Sequence, residues 1–405
     1  MPADQTFVIA GASLAGAKAA ETLRTEGFDG RVVLIGDEQE RPYERPPLSK
    51  DYLRGESGRE AVYVHDEGFY AEHEIELRLR RTVTSVDTSS GQVALGDGEQ
   101  LRYDRLLIST GAEPRRLSIP GGELDGVHYL RSVEDSDALR GRLDRGGSVV
   151  VVGAGFIGAE VAASARQRGL DVTVVEPLSV PLERALGTEL GAVYRDIHAD
   201  HGVQMLLGTG VEAFEGAGAV ERVRTSDGRE LACDFVVVGV GVEPRTRLAA
   251  AAGLAVDNGI LVDEQLQTDV PGVFAAGDVA SALHPLYGER IRVEHWANAL
   301  NQGPAAARNM LGRSEPYETI PYFYSDQYDV GMEYAGFART WDRVVFRGDP
   351  ATREFIAFWL VEDRVVAGMN VNVWDVTDHI QRLIRERVAI DDRRLADADV
   401  PLETL

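Results

Sequence analysis

Cysteine is nearly missing from this chain: Cys233 is the only one among 405 residues. A single thiol excludes an intrachain disulfide, a Cys-x-x-Cys redox pair and a multi-thiolate metal site, and it points to a reducing compartment. Basic residues are also scarce. Lysines and arginines number 42 against 66 aspartates and glutamates, a formal net charge of -24 at pH 7. That balance repels polyanions at long range, which argues against nucleic acid and against an anionic membrane as partners. Long apolar runs are lacking too. The most apolar stretch, 149–165, is broken by Gly153, Gly155, Gly158 and Glu160 and is too short for a membrane span. The first strand is expected at about Phe7, which leaves no room ahead of it for a signal peptide, so the chain reads as cytoplasmic.

What the chain does have is two strand, glycine-loop, helix openings, FVIAGASLAGAKAA at 7–20 and VVVVGAGFIGAEVAA at 149–163. The second carries the full G-x-G-x-x-G spacing in Gly153, Gly155 and Gly158, directly after four valines. Such glycines permit a tight turn and let backbone N–H groups and a helix N-terminus approach a pyrophosphate. Glu176 ends the next expected strand, at the distance of a carboxylate that accepts hydrogen bonds from an adenosine ribose. A carboxylate there repels a 2'-phosphate and favours NADH over NADPH. The first loop, Gly11-Ala12-Ser13-Leu14-Ala15-Gly16, has Ser13 in place of the middle glycine, and Asp37 follows Gly36 as the corresponding acid. Two loops imply two dinucleotides, a flavin beside a nicotinamide, and hence a flavoprotein reductase. The loops alone do not say which holds which.

A length of 405 residues has room for roughly three domains of about 150 residues. Alternating apolar runs and helical stretches, with VVLIG at 32–36 and RLLIST at 105–110, read as a doubly wound α/β layout. The Gly-Pro punctuated stretch 111–122 marks a crossing into a second such unit, which includes DVTVVEP at 171–177 and a hairpin turning at Asp227-Gly228. GVFAAGD at 272–278 and the helical pattern through Leu311 are expected to rejoin the first unit. From Ile320 the texture becomes aromatic and β-branched, which predicts a small antiparallel sheet with a terminal helix and a loosely held tail over 391–405. The expected fold class is therefore α/β: two Rossmann-like dinucleotide-binding domains plus a C-terminal α+β domain with a small antiparallel sheet. The expected boundaries are 1–112 with 245–319, then 113–244, then 320–405.

In their order along nearly the whole chain, several segments resemble a known family. They are GASLAG (11–16), ERPPLSK (44–50), STGAEP (109–114), YLRS (129–132), GAGFIGAE (153–160), GVGVEP (239–244), FAAGDVA (274–280) and FYSDQY (323–328). The resemblance is to the FAD-dependent ferredoxin reductases of bacterial cytochrome P450 and aromatic-ring dioxygenase systems, the putidaredoxin reductase type. It assigns the first loop to FAD and the second to NADH. It implies that Gly11, Ser13, Ala15, Gly16, Asp37, Arg45, Lys50, Val83, Thr110, Gly111, Arg131, Asp278 and Trp296 bind FAD. For NADH it implies Gly153, Gly155, Ile157, Gly158, Glu160, Glu176, Arg184 and Gly241. Lys50 and Glu160 resemble a catalytic pair whose work is positioning and polarising, since hydride transfer needs orientation more than a side-chain acid. The helix after His295 and Trp296 would turn its positive end to the flavin pyrimidine. Tyr324 and Pro304 depart from residues found in some relatives, tryptophan and a basic residue respectively.

The partner this implies is an iron–sulfur ferredoxin that feeds a P450 or a dioxygenase. Because the chain is acidic, docking an acidic ferredoxin predicts a local basic patch, with Arg308 and Arg313 as candidates. The alternatives are an NADH reductase for rubredoxin, quinone or oxygen, and an NADH-responsive signalling flavoprotein resembling apoptosis-inducing factor. Residues 41–52, RPYERPPLSKDY, lack the redox cysteines of disulfide reductases and of NADH oxidases or peroxidases, so electrons must leave the flavin without a thiol. Cys233 reads as a small buried residue. His198 and His201 are spaced to share a helix face without a third ligand and are expected to be a surface pair; no metal site is expected.

Overall fold

The computed structural model describes residues 4–405. They divide into two compact units, one formed by residues up to Glu44 with Glu60–Glu113 and Glu243–Pro321, the other by Arg45–Arg59, Pro114–Val242 and Tyr322–Leu405. In the first unit, five parallel strands run in the order Val273–Ala275, Arg105–Ile108, Thr6–Ala10, Arg31–Ile35, Ile75–Arg78. Val8 sits opposite Val33 on one side and Leu106 on the other. Apart from the edge strand Ile75–Arg78, these strands are apolar on both faces, as a parallel sheet covered on both sides requires. The late segment joins through Val273, which pairs with Leu106, and through the helix Trp296–Met310. That helix lies so close to the helix Leu14–Thr25 that a Cβ on Gly303 would stand 2.3 Å from the carbonyl oxygen of Ala15.

The second unit repeats the parallel design, in the order Gln204–Leu207, Asp171–Glu176, Ser148–Val152, Phe235–Val238, Val127–Tyr129. Strand order reverses at Ser148–Val152, and ligands of open α/β sheets bind at the carboxyl end of such a strand. The expected hairpin turns at Asp227-Gly228, where Gly228 has φ +86 and donates to the carbonyl of Thr225 at 3.0 Å. Cys233 follows that hairpin, buried in the same core, and burial pushes its thiol up to about 12. It is held as a neutral, unreactive group.

A five-stranded antiparallel sheet closes the chain, in the order Tyr322–Gln327, Val330–Gly336, Arg364–Val371, Glu354–Val361, Arg343–Asp349. One face packs on the helix Glu183–Asp200, with Leu186, Leu190, Tyr194 and Ile197 against Met332, Tyr334, Phe355 and Trp359. The helix breaks at Gly187, φ +83, and Trp359 Nε1 donates to the Leu186 carbonyl at 3.3 Å. The fold class read from the sequence, two Rossmann-like sheets and a C-terminal antiparallel sheet with helix, is the one observed. No helix among the described residues is long and apolar enough to cross a membrane.

The C-terminal tail departs from expectation. The stretch 391–405 is not loosely held: Leu395 and Leu402 are buried, and the buried Arg347 donates to the carbonyls of Asp397 (2.6 Å), Ala398 (3.2 Å) and Val400 (2.5 Å). Arg382 holds the Leu402 carbonyl at 2.9 Å. The tail can be polar in sequence and still be held because much of its fixation comes from its backbone carbonyls, with Leu395, Leu402 and the Asp392 carboxylate bonded by Arg343 as its few side-chain anchors. Replacing Arg347 by Met orphans those carbonyls at about 1–3 kcal/mol for a buried group. Trypsin cleavage after Arg393 or Arg394 should then rise on the order of tenfold or more, with the sheet intact by circular dichroism. Unchanged cleavage would show that Arg347 does not hold the tail.

Candidate functional site

In the first unit the glycine loop is built by close approach. Gly11 leaves its strand at φ +128, and a Cβ there would be 2.1 Å from the Ser109 carbonyl oxygen. A Cβ on Gly16 would be 2.0 Å from the Gly11 oxygen, so the helix can start this near the strand only with glycine there. Ser13 is the N-cap in extended conformation, makes no side-chain cap and leaves the first-turn N–H groups without an internal acceptor. Ala15 lines the same turn and lies 3.2 Å from where a Cβ of Gly277 would be. Gly277 N donates to Gln302 Oε1 at 2.9 Å, which sets the 3-10 turn carrying Asp278. Asp278 is near enough to His295 to act on it: desolvation pulls the half-buried imidazole down to about 4, and the Asp278 charge opposes this. Trp296 follows as the first residue of the helix, whose N-cap also makes no side-chain cap.

Other residues proposed from the sequence are already engaged. Asp37 pairs with Arg245 at 3.1 Å. Thr110 Oγ1 donates to the Arg245 carbonyl at 3.0 Å, and Gly111, at φ +68, accepts from Arg245 N. Val83 opens the strand Val83–Asp87 and packs on the core. Arg308 and Arg313 share one carboxylate, that of Glu26, at 3.1 and 2.6 Å, so together they present one net positive charge.

The second loop follows the same logic. Gly153, at φ +94, would place a Cβ 2.5 Å from the Gly239 oxygen, and Gly158 one 2.0 Å from the Gly153 oxygen. A Cβ on Gly155 would meet nothing within 4 Å. The middle glycine thus keeps open the space in front of the helix Phe156–Gln167, while the other two permit packing. Glu176 is buried, and its oxygens accept from Ala154 N at 2.7 Å and Leu178 N at 2.9 Å, tying the loop to the strand end. Ile157, an apolar side chain 44% exposed, stands in the helix's first turn. Arg184 is exposed near the start of the helix Glu183–Asp200, and Gly241 turns at φ +94.

Arg45, Lys50 and Arg131 belong to this unit. Arg45 Nη1 donates to the Arg131 carbonyl, and Arg131 N to Asp135. Lys50 is buried, with Nζ 2.8 Å from Glu160 Oε2 and 5.5 Å from the Tyr324 ring centroid. The segment before it is pinned by Ser164 Oγ to the Ser49 carbonyl (2.7 Å) and Ser136 Oγ to the Leu48 carbonyl (2.8 Å). Glu160, also buried, accepts from Ser49 Oγ at 2.5 Å on Oε2 and from Ser325 Oγ at 2.7 Å on Oε1. Ser49 and Ser325 carry no signal of their own in the sequence, although both lie inside the motifs ERPPLSK and FYSDQY; nothing local marks a serine that will face a distant carboxylate. Pro304 stands inside its helix and removes the N–H that would bond Leu300.

The two histidines are not a surface pair. His198 is fully buried, with Nε2 2.9 Å from Gln327 Oε1 and Nδ1 3.0 Å from Tyr328 Oη. His201 is half-buried and stacks on Tyr328 at 3.7 Å. Their i, i+3 spacing puts them on one face, and that face is the one covered by the C-terminal sheet. No group of three possible metal ligands occurs among the described residues.

Comparison with known proteins agrees with this geometry. Residues 5–303 match the family described as pyridine nucleotide-disulphide oxidoreductase, and residues 322–405 match the reductase C-terminal family. The chain is 41% identical over 402 residues, 98% of each chain, to the ferredoxin–NAD(+) reductase component of the anthranilate 1,2-dioxygenase system of Burkholderia cepacia. Among solved structures it is similar to the ferredoxin reductase of the CYP199A2 system from Rhodopseudomonas palustris, at 37% identity, TM-score 0.96 and 99% coverage of both chains. It is equally similar, TM-score 0.96 at 36% identity with 99% and 98% covered, to the covalent putidaredoxin reductase–putidaredoxin complex. The chain belongs to the pyridine nucleotide-disulphide oxidoreductase family and, within it, to the ferredoxin–NAD reductases of oxygenase systems. Membership implies FAD and NAD(H). The chain fits them: it has two glycine cradles, each closed to a Cβ at its first and third positions, each opening a helix whose N-cap makes no side-chain cap.

Proposed function

We propose that this protein takes a hydride from NADH onto FAD and passes electrons singly to an iron–sulfur ferredoxin that feeds a cytochrome P450 or a ring-hydroxylating dioxygenase. The observation that carries this reading is the pairing of two dinucleotide cradles with a single, inert thiol in a chain that matches ferredoxin reductases over its full length. FAD, when bound, supplies the conversion of one two-electron step into two one-electron steps. The protein supplies place and charge.

In this reading residues 1–112 and 245–319 hold FAD, with Gly11, Ser13, Ala15 and Gly16 on its pyrophosphate, and Asp37, Val83, Thr110, Gly111, Asp278 and Trp296 around it. The resemblance adds Arg45, Lys50 and Arg131 to the FAD-binding residues. Residues 113–244 hold NADH, through Gly153, Gly155, Ile157, Gly158, Arg184, Gly241 and the buried anion of Glu176, which disfavours a 2'-phosphate. Residues 320–405 form the C-terminal domain. Lys50 and Glu160 keep one positive and one negative group out of water in a fixed orientation, which is where charge control is strongest. The lone cysteine supports a reducing, cytoplasmic setting.

The test is NADH-driven cytochrome c reduction by the purified protein, with and without a panel of iron–sulfur ferredoxins. A large ferredoxin-dependent increase is expected and names the cluster type. Rapid bleaching of the flavin by NADH with no increase from any ferredoxin would remove the ferredoxin role and leave another acceptor, or a signalling role, in its place.

A further inference from the structure

The Lys50–Glu160 pair does not end at its own contacts. From Glu160 Oε1 a line of buried polar groups runs to Ser325 Oγ (2.7 Å), Gln327 Nε2 (3.2 Å), from Gln327 Oε1 to His198 Nε2 (2.9 Å), and from His198 Nδ1 to Tyr328 Oη (3.0 Å). Ser325, Gln327 and His198 are each 1% exposed or less. Its polarity can be deduced link by link. Glu160, ion-paired with Lys50, can only accept, so Ser325 must give its one O–H to Oε1. Ser325 Oγ then has only acceptor capacity left and takes an N–H from the Gln327 amide nitrogen. This turns Gln327 Oε1 toward His198, whose Nε2 must carry the proton, and Nδ1 is left to accept the Tyr328 O–H. Every donor points toward Glu160, and bonds aligned in this way strengthen one another in a buried setting.

The far end is built with some strain. Tyr328 is the first residue of the two-residue connection between paired Gln327 and Val330, and it sits at φ +59, which a bulky side chain rarely adopts. Its ring is clamped on His201 at 3.7 Å and 6° between planes, with the hydroxyl delivered to His198. A hairpin that only needed to turn would have used glycine there. Burial pulls the His198 imidazole down to about 4, with the Gln327 bond acting against this and His201 with it. Tyr328 and His201 are the titratable groups that touch or act on it, with Arg166 acting on Tyr328 and Asp329 lying 3.8 Å from His201, and buried among them His198 stays neutral, so the direction of the line is kept through the physiological range.

We infer that His198 is a positioning residue which, through Gln327 and Ser325, fixes the orientation of the Glu160 carboxylate and thereby of the Lys50 ammonium. This rests on the proposed role of Glu160 in hydride transfer. The residues form a one-way brace from the helix Glu183–Asp200 and the hairpin at Tyr328 to the functional pair.

The test uses the holoenzyme and two readouts. By 15N-resolved NMR, His198 is expected as the Nε2–H tautomer throughout pH 5.5–8; the Nδ1–H tautomer would overturn the inference. By stopped-flow flavin bleaching with NADH, His198→Leu is expected to slow reduction on the order of tenfold, a loss of about 1.4 kcal/mol. His198→Gln, which restores an N–H toward Gln327, should recover to within about twofold, and Ser325→Ala, which removes the last link alone, should match His198→Leu. In the Glu160→Gln background His198→Leu should change the rate less than about twofold, since its route is gone. Glu160→Gln slow but His198→Leu still costing its full factor overturns the inference alone. Glu160→Gln with an unaltered rate removes the role of Glu160 and the inference with it.

Discussion

Gly16→Ala is expected to yield a protein without flavin colour, and Gly158→Ala a yellow one whose KM for NADH is raised about 10- to 100-fold. Both glycines are third in their loops, and in each a Cβ would lie 2.0 Å from the carbonyl oxygen of the first glycine. The obstruction is backbone, so no rotamer change relieves it. The helix must back away from its strand, and the N–H groups of its first turn leave the position from which they can bond a pyrophosphate. Confining the damage to one loop makes the pair diagnostic. A colourless Gly158→Ala protein beside a yellow Gly16→Ala protein would reverse the assignment of FAD and NADH to the two cradles. Normal binding by both would show that neither loop holds a dinucleotide. Absorbance of the purified proteins and NADH titration of the yellow one decide between these.

Lys50→Met should cost about 3–5 kcal/mol of unfolding free energy, because it leaves Glu160 as an unpaired buried charge. The side chains of Lys50 and Glu160 are only 9% and 4% exposed, so solvent screens little of the pair. Lys50→Met with Glu160→Gln should cost less than the single change, since the neutral amide no longer needs a counter-ion, and a double-mutant cycle in urea reads the difference. Hydride transfer should respond otherwise. If the pair orients and polarises the reacting groups, both variants lose on the order of 100-fold in reduction rate, and the stability recovered by the double change does not restore it. Equal stability of the single and double variants would deny that the pair is electrostatically coupled. A double variant that reduces its flavin at the parental rate would make the pair structural only.

The glycines in the first of these predictions are legible in the sequence because their signals are local. A glycine loop after four valines, followed by helix and a strand-ending acid, involves neighbours in sequence, and Gly16 and Gly158 are each required by the carbonyl oxygen of a glycine in their own loop, Gly11 and Gly153. The hairpin at Asp227-Gly228 is legible for the same reason, since Thr225, Asp227 and Gly228 make its hydrogen bonds among themselves. The antiparallel texture after Ile320 likewise follows from alternation, which is a nearest-neighbour property.

Contacts across long separations leave no such trace. Ser49 and Ser325 stand 111 and 165 residues from Glu160 along the chain, and no periodicity announces that two hydroxyls will converge on one carboxylate. Helical spacing says that His198 and His201 share a face and not whether another element covers it, which is why a surface pair is the wrong expectation. The tail over 391–405 is fixed although its own residues look solvated, because the arginines that hold its carbonyls, Arg347 and Arg382, come from elsewhere in the fold. By itself the sequence determined two dinucleotide loops, a single cysteine with no second thiol to pair with and the order of the sheets, all set by local backbone preference and composition. Only the tertiary structure decided which buried polar groups meet, because a charge or an amide out of water must find its partners wherever the folded chain brings them.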